Sequence, residues 1–247
     1  LCSHTVKGTA LSNDKEVACS NQDNERLSDK GWNVDHVIYI DCEASTNTQV
    51  FLIRQTSLDE LLEQYEEYEM NPEEIREINY LVGKEYCSCG VRELDDISGQ
   101  DSVIPFFRVT VGNTEYNTTS MGNGEHFLLF LFWCINRVEK DTLLIIEEPE
   151  TYISISSQMH FANYLGKQMG KKGVKVILTT HSPYILGNIR NENIRIVSRV
   201  GNNVSIITPD EDMPAESILG ISQNNVGTFF VEDRVAADLL AAILEDK

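Results

Sequence analysis

The sequence has no apolar run long enough to cross a bilayer. Its longest, Phe127 to Ile135, holds nine residues, where a spanning helix needs about 20, so it reads as a buried helix and no membrane role is expected. The N-terminus shows no charged region followed by an apolar one, and no secretory signal is visible. Basic residues are scarce. Twenty Lys and Arg against 39 Asp and Glu leave a formal charge of −19, which denies the chain the overall field by which proteins hold nucleic acid. A DNA partner would need a local basic patch. The nearest one, Lys167, Lys171, Lys172 and Lys175, reads as the solvated end of a helix, where lysines suit the dipole. The six cysteines offer one close pair, Cys87-x-Cys89, and no second pair to complete a zinc site. Reduced thiols and a cytoplasmic location are the expectation. Internal repeats, low-complexity linkers and sustained heptads are all missing. What remains is 41% hydrophobic and 24% charged, an ordinary globular balance that can bury a core as one or two domains.

The informative residues concentrate between Asp141 and Leu186. Leu143 to Ile146 is an apolar run that ends in Glu147 and Glu148, the pattern of a buried strand bounded by a turn signal. Pro149 cannot donate to a central ladder and stops it. Successive side chains of a strand point to opposite faces, so the two glutamates are expected to have different neighbours. One carboxylate could hold a hydrated magnesium ion while the other polarises water, the division of labour in nucleotide hydrolysis. After a helical segment over about 156–170, a second strand, Val174 to Leu178, would carry Thr179, Thr180 and His181 to the same edge. Ligands of open α/β sheets sit outside the carboxyl ends of the strands, where Glu147, Glu148 and His181 would converge. Taken singly, each has a plainer reading. A Glu-Glu pair at a strand end is a solvated turn, and a histidine before Ser-Pro belongs to a helix start with Ser182 as N-cap and Pro183 at N1. Upstream, Ser120-Met121-Gly122-Asn123-Gly124-Glu125 opens a strongly apolar helix from Glu125 to Val138.

A glycine-rich loop, a helix, an acid-ended strand and then a histidine after the next strand: in this order the chain resembles the ABC-type ATPases of the OLD (overcoming lysogenisation defect), RecF and SMC kind. The resemblance implies an α/β fold, a partial ABC-type P-loop NTPase core with a helical insert and β-hairpins, and ATP and Mg2+ as cofactors. Glu147 matches the Walker B acid that holds Mg2+ through water; the family usually has Asp there, and the longer Glu changes the reach to the metal. Glu148 matches the catalytic glutamate and His181 the switch histidine that contacts the γ-phosphate. Ser120, Gly122, Gly124 and Glu125 fall in the nucleotide-contacting signature loop. Its second position is often Ser and here is Gly122, which leaves a hydroxyl contact to Ser120 and the rest to backbone N–H groups at the helix N-terminus. Glu150 to Ile153 stands in the place of the dimer-contacting D-loop, without the histidine and proline that many OLD-like proteins show just afterwards. In the family each nucleotide is held between one subunit's Walker loops and the other's signature, which implies a homodimer. Within one chain, the helix between loop and Walker B strand is expected to keep them roughly 20 Å apart, at about 1.5 Å per residue.

The phosphate-gripping loop GxxxxGK[ST] occurs nowhere in the 247 residues. In the resembled family it precedes this region, and Leu1-Cys2 suits the end of its helix; these residues alone are therefore expected to be inactive. Ser3 to Gly31 is polar and aperiodic and reads as an irregular segment. Val34 to Ile40 reads as a strand ending at Asp41. Two helices follow. Ser57 with Glu60 makes a capping box ahead of an apolar stripe, Leu58, Leu61, Leu62, Tyr65 and Tyr68. Asn71-Pro72 with Glu74 opens the second, which Gly83 can close. Nine acids and one arginine lie between Asp59 and Glu77, and the pair, about 57–83, is either the family's helical insert or a plain core-packing hairpin. Lys84 to Leu94 and Ile104 to Tyr116 read as strands, the second turning at Gly112-Asn113. Another hairpin is expected over 194–208.

Near the end, Thr228 to Val231 reads as a strand, followed by Glu232-Asp233 and a helix through Leu244. It resembles the opening of a TOPRIM nuclease domain with Glu232 as a metal-binding acid or base, or it is a last strand and helix packed on the ATPase. The later Asp-x-Asp of a TOPRIM domain is not among these residues. The expected organisation is thus the ATPase portion over 1–226 and the strand-helix over 227–247. The function implied is an ATPase that dimerises on nucleotide and controls a nuclease or other effector, in cis or in trans, in phage defence or DNA maintenance. A RecF- or SMC-like DNA-repair ATPase and a non-catalytic interaction domain are the alternatives.

Overall fold

Strand-forming runs set out two sheets and a hairpin in the first of two units, Leu1–Asn188; the second is Ile189–Lys247. A computed structural model of the chain describes residues 7–12, 15–20, 36–95, 97, 103–201, 203–209 and 215. Two antiparallel strands come first, β1 (Lys7–Ser12) and β2 (Lys15–Ser20), with Ser12 opposite Lys15. An irregular segment was predicted there. A two-stranded ladder is made by backbone groups and needs no apolar period, and Asn13 and Asp14 between the strands are turn-forming residue types.

The β-branched run of β3 (His36–Ile40) ends at Asp41, whose carboxylate caps α1 (Cys42–Ile53) by accepting from the Ala44 N–H at 2.7 Å. Sequence periodicity gave no sign of α1, because its inward face is polar. Ser45 and Gln49 are buried beside Leu52, and the Gln49 amide donates to the carbonyls of Thr118 and Met121, each at 2.9 Å. The next helix is shorter than its apolar stripe suggested: α2 covers only Leu58–Leu62, and Ser57 makes no side-chain capping bond. Tyr68 instead joins β4 (Glu67–Glu69), whose backbone pairs with the strand that follows the next helix, and the Tyr65 hydroxyl donates to the Asp95 carbonyl at 2.6 Å. That helix, α3 (Pro72–Val82), starts and stops as expected. Asn71 and Glu74 form a complete capping box, and Gly83 closes it at φ 74°, a left-handed conformation that glycine adopts without penalty.

β5 (Tyr86–Leu94), β6 (Ile104–Val111) and β7 (Thr114–Asn117) extend β4 into a four-stranded antiparallel sheet in the order β4-β5-β6-β7. Gly112 at φ 56° makes the last turn. Then comes α4 (Asn123–Arg137), with His126 to Phe132 and Ile135 all buried; a helix apolar on every side belongs in a core. β8 (Thr142–Glu147) follows, then α5 (Ile155–Lys172), β9 (Lys175–Thr179) and the single turn α6 (Pro183–Leu186). β3, β8 and β9 form a parallel sheet in the order β3-β8-β9, with Tyr39, Ile145 and Ile177 in one row. One face of it buries Ile40, Leu144 and Ile146, while Val37, Tyr39 and Ile177 on the other stand exposed.

In the second unit, β10 (Ile196–Val200) and β11 (Asn203–Ile207) form the expected hairpin, turning at Gly201 with φ 63°. The predicted strand and helix after Thr228, with Glu232, lie outside the described residues. Among the described residues, no helix is long and apolar enough to cross a membrane.

Candidate functional site

The carboxyl ends of β8 and β9 lie side by side because Glu147 pairs with Thr179 in the parallel ladder. β8 stops there, and the chain leaves it through Glu148 at φ 40°, one of two non-glycine residues with positive φ among those described. The left-handed region costs an ordinary side chain about 1–2 kcal/mol, so the surroundings must hold it. They do so on several sides. The Glu148 N–H donates to the Thr179 carbonyl at 3.0 Å, and its own carbonyl accepts from the Thr151 hydroxyl at 2.9 Å and from the Cys42 thiol at 3.6 Å. Burial pushes that thiol up to about 11, so it keeps its proton and remains a donor. The Glu148 carboxylate is thereby aimed at the loop after β9, where His181 Nε2 lies 3.3 Å from its Oε1. Both side chains are open to solvent. The structure thus brings together the two residues predicted as the hydrolytic pair.

Glu147 has a different neighbour. Tyr39, on the adjacent β3, donates its hydroxyl to Glu147 Oε2. That bond, more than burial, pushes the phenol up to about 12, so at neutral pH Tyr39 is protonated and can only act as the donor. Sequence reasoning missed this contact. The signal was strand parity: Tyr39 faces Ile145 in the ladder, and Glu147 lies two residues further along the same face, within diagonal reach of an aromatic side chain.

Glu150 was also missed as an individual. It stands in the 3-10 turn Pro149–Thr151, and its carboxylate accepts from the Thr180 hydroxyl at 2.9 Å and from the His181 N–H at 2.5 Å. It therefore fixes the backbone from which His181 projects. On the far side of the histidine, Ser182 caps α6, accepting from Tyr184 and Ile185 N–H and donating to the Gln158 side-chain Oε1 at 2.6 Å. The plain helix-start reading of His-Ser-Pro holds, and it leaves the His181 ring beside the Glu148 carboxylate.

The residues predicted for the glycine-rich loop do not behave alike. The Ser120 hydroxyl turns back on its own loop and donates to the Asn117 carbonyl at 3.1 Å. Gly122 is the N-cap of α4, exposed, with no side-chain capping bond and no atom near the place of a Cβ. Among the described residues, the first N–H groups of the helix have no side-chain cap and can serve another acceptor. Glu125 is occupied. It accepts from Lys84 Nζ at 2.7 Å and from the hydroxyls of Tyr86 and Tyr116 at 2.5 and 2.6 Å. Burial raises its pKa, but these three donors outweigh it and hold the carboxyl below its ordinary range. Gly124 is a packing requirement, since a Cβ there would stand 2.2 Å from the Tyr152 carbonyl oxygen. This last contact corrects the expected separation of loop and strand. β8 runs back along α4 and cancels the length of the helix, so the loop lies beside the chain just past Glu148.

A family model described as an AAA ATPase domain matches residues 8–186, well over half of the chain. A search of the curated proteins returned no match. Among solved structures, an SMC head domain from Thermotoga maritima is 11% identical at a TM-score of 0.43, over 83% of this chain and 69% of that one. A Smc head domain with a coiled coil and joint, derived from Pyrococcus yayanosii, is 14% identical at 0.44, over 60% of this chain; this chain spans 28% of its length. A structure from work on the ATP-driven dimerisation and DNA-stimulated activation of SMC ATPases is 14% identical at 0.44, over 62% of this chain and 93% of that one.

Proposed function

We propose, from the premise that this chain belongs to the AAA ATPase domain family, that it binds Mg2+-ATP and takes part in its hydrolysis where Glu147, Glu148 and His181 meet. The observation that carries the reading is Glu148, a non-glycine residue held at φ 40° with its carboxylate 3.3 Å from His181 Nε2 in solvent-accessible space. Backbone outliers persist where their surroundings over-determine them, and they cluster at functional sites. In this reading Glu148 orients a water and accepts its proton, His181 turns its ring to the γ-phosphate, and Glu147 holds the metal. Mg2+, held by Glu147 when bound, would supply charge neutralisation on the phosphates. No group of three or more His, Cys, Asp or Glu among the described residues could cage a metal. That fits an ion held by phosphates and water with one carboxylate, as Mg2+ is in nucleotide sites. Glu147 suits the task, being exposed with a single oxygen bonded to Tyr39.

The reading requires a phosphate cradle, which these 247 residues lack in GxxxxGK[ST] form. β9 is an edge strand among the described residues, and an edge strand presents backbone groups with which a further strand carrying such a cradle could pair. Gly122 and the open N–H groups of α4 are the surface offered to a second subunit's nucleotide, which makes the functional form a homodimer. Within the family we favour the OLD kind, in which the ATPase controls a nuclease or other effector in phage defence or DNA maintenance. The sequence from Thr228 to Glu232 supports it.

The test is Glu148→Gln in the intact protein. The amide keeps the shape and cannot take the proton, so turnover should fall at least about 100-fold while nucleotide stays bound and the dimer persists. Steady-state ATP hydrolysis and analytical ultracentrifugation with ATP read the two effects, and turnover at the wild-type rate would make Glu148 a bystander.

A further inference from the structure

We infer that Tyr39 is a positioning residue for the metal-holding carboxylate, resting on the proposal that Glu147 holds Mg2+. The position calls for a carboxylate at a fixed distance from the phosphates, and the chain places there a Glu, one methylene longer than Asp. An exposed Glu at a strand end has an extra rotatable bond and nothing in its own strand to fix it. Tyr39 supplies what is missing. It projects from β3 on the same face of the parallel sheet, and its hydroxyl donates to Glu147 Oε2. One oxygen is thereby anchored to a neighbouring strand while the other stays available to a ligand.

Of the nearby carboxylates, Glu147 acts most strongly on the phenol, and Asp41 bears on it more weakly. Asp41 is committed to capping α1 at 2.7 Å from the Ala44 N–H, and Glu150 accepts from Thr180 and His181. Glu148 faces His181. Tyr39 itself is 54% exposed, so its phenol ring is not a core element whose loss of one oxygen would unsettle the sheet. Groups that orient a metal-binding side chain typically contribute 10- to 100-fold to metal affinity. Tyr39 and the longer acid work as a pair: the phenol fixes the longer side chain that the site uses in place of Asp.

The experiment titrates Mn2+ into the intact protein with a non-hydrolysable ATP analogue and counts free Mn2+ by EPR. Four variants are compared: Tyr39→Phe, Glu147→Asp, the double variant and Glu147→Ala. Tyr39→Phe should weaken Mn2+ binding about tenfold while the thermal midpoint and metal-free nucleotide affinity stay at wild-type values. In the Glu147→Asp background, where the shortened carboxylate no longer reaches the phenol, the same change should do nothing further. If Glu147→Ala abolishes Mn2+ binding and Tyr39→Phe leaves it unchanged, the positioning role is overturned and the metal-site proposal stands. An equal tenfold loss in both backgrounds overturns it too, since Tyr39 would then act on something other than Glu147. If Glu147→Ala binds Mn2+ as the wild type does, the metal-site proposal falls and takes this inference with it.

Discussion

His126 should make the protein's stability fall as the pH drops from 6.5 toward 4, and the size of the effect follows from its burial. The imidazole is fully buried near the start of α4, with Nδ1 2.9 Å from the Ser45 hydroxyl of α1 and Nε2 without a partner among the described residues. Burial alone moves its pKa down from 6.5 to about 4. The folded state therefore keeps His126 neutral over an interval in which the unfolded chain protonates it. A depressed pKa of this kind contributes stability that is complete above the unfolded value and is lost as pH falls toward the folded one. At 1.36 kcal/mol per unit, the full loss is on the order of 3 kcal/mol, and about 2 kcal/mol of it is gone by pH 5. The measurement is urea unfolding at intervals from pH 5 to 8, comparing wild type with a Ser45→Ala, His126→Phe double variant that removes the titrating group and leaves no hydroxyl unpaired. The variant should lose much less stability over this interval. The window keeps clear of paired carboxylates such as Glu67, which Arg108 holds low against burial, because their stabilisation is lost only further into acid. Parallel pH profiles for the two proteins would refute the argument and mean that the core around His126 accommodates charge.

The two glycines of the loop before α4 should part company. Gly124→Ala puts a Cβ 2.2 Å from the Tyr152 carbonyl oxygen and should cost about 1–3 kcal/mol of overpacking, while Gly122→Ala meets nothing within 4 Å and should cost only the poorer N-cap, about 0.5 kcal/mol. Equal melting temperatures would mean that the 149–152 segment shifts freely. The role of the loop across a dimer is then tested at Gly122, since a change at Gly124 would confuse packing with nucleotide contact. Intact Gly122→Asp and Glu148→Gln subunits, each inactive alone, should regain ATP hydrolysis when mixed, because in a mixed dimer both lesions fall on one composite site. No recovery in mixed dimers shown to form would mean that the loop acts within its own chain or that the two sites fire together.

Which parts of this molecule a reader of the sequence could see depends on whether a residue's role is set by its own strand or helix. Leu143 to Ile146, the Asn71 capping box and the apolar α4 declare themselves, because run length, cap chemistry and all-round hydrophobicity are local properties. α1 does not, since what it buries is Ser45 and Gln49 and their partners lie on α4 and in the loop before it. The Ser57 motif misled for the reverse reason: its local pattern was right for a cap, but pairing of Glu67–Glu69 with β5 takes the chain out of the helix early. The same division runs through the candidate site. Glu147, Glu148 and His181 converge because strand ends converge, which sequence order alone can predict. Tyr39, Glu150 and Gly124 matter through contacts made across elements. Two of these contacts fall on one short segment: Glu150 fixes the backbone of His181, and Tyr152, two residues on, lies against Gly124. Residues 149–152 therefore join the N-terminus of α4 to the Glu148–His181 pair within a single chain. Gly124 and the backbone of His181 thus rest on the same turn, which is why the packing at Gly124 has to be kept separate from any contact Gly122 makes with nucleotide.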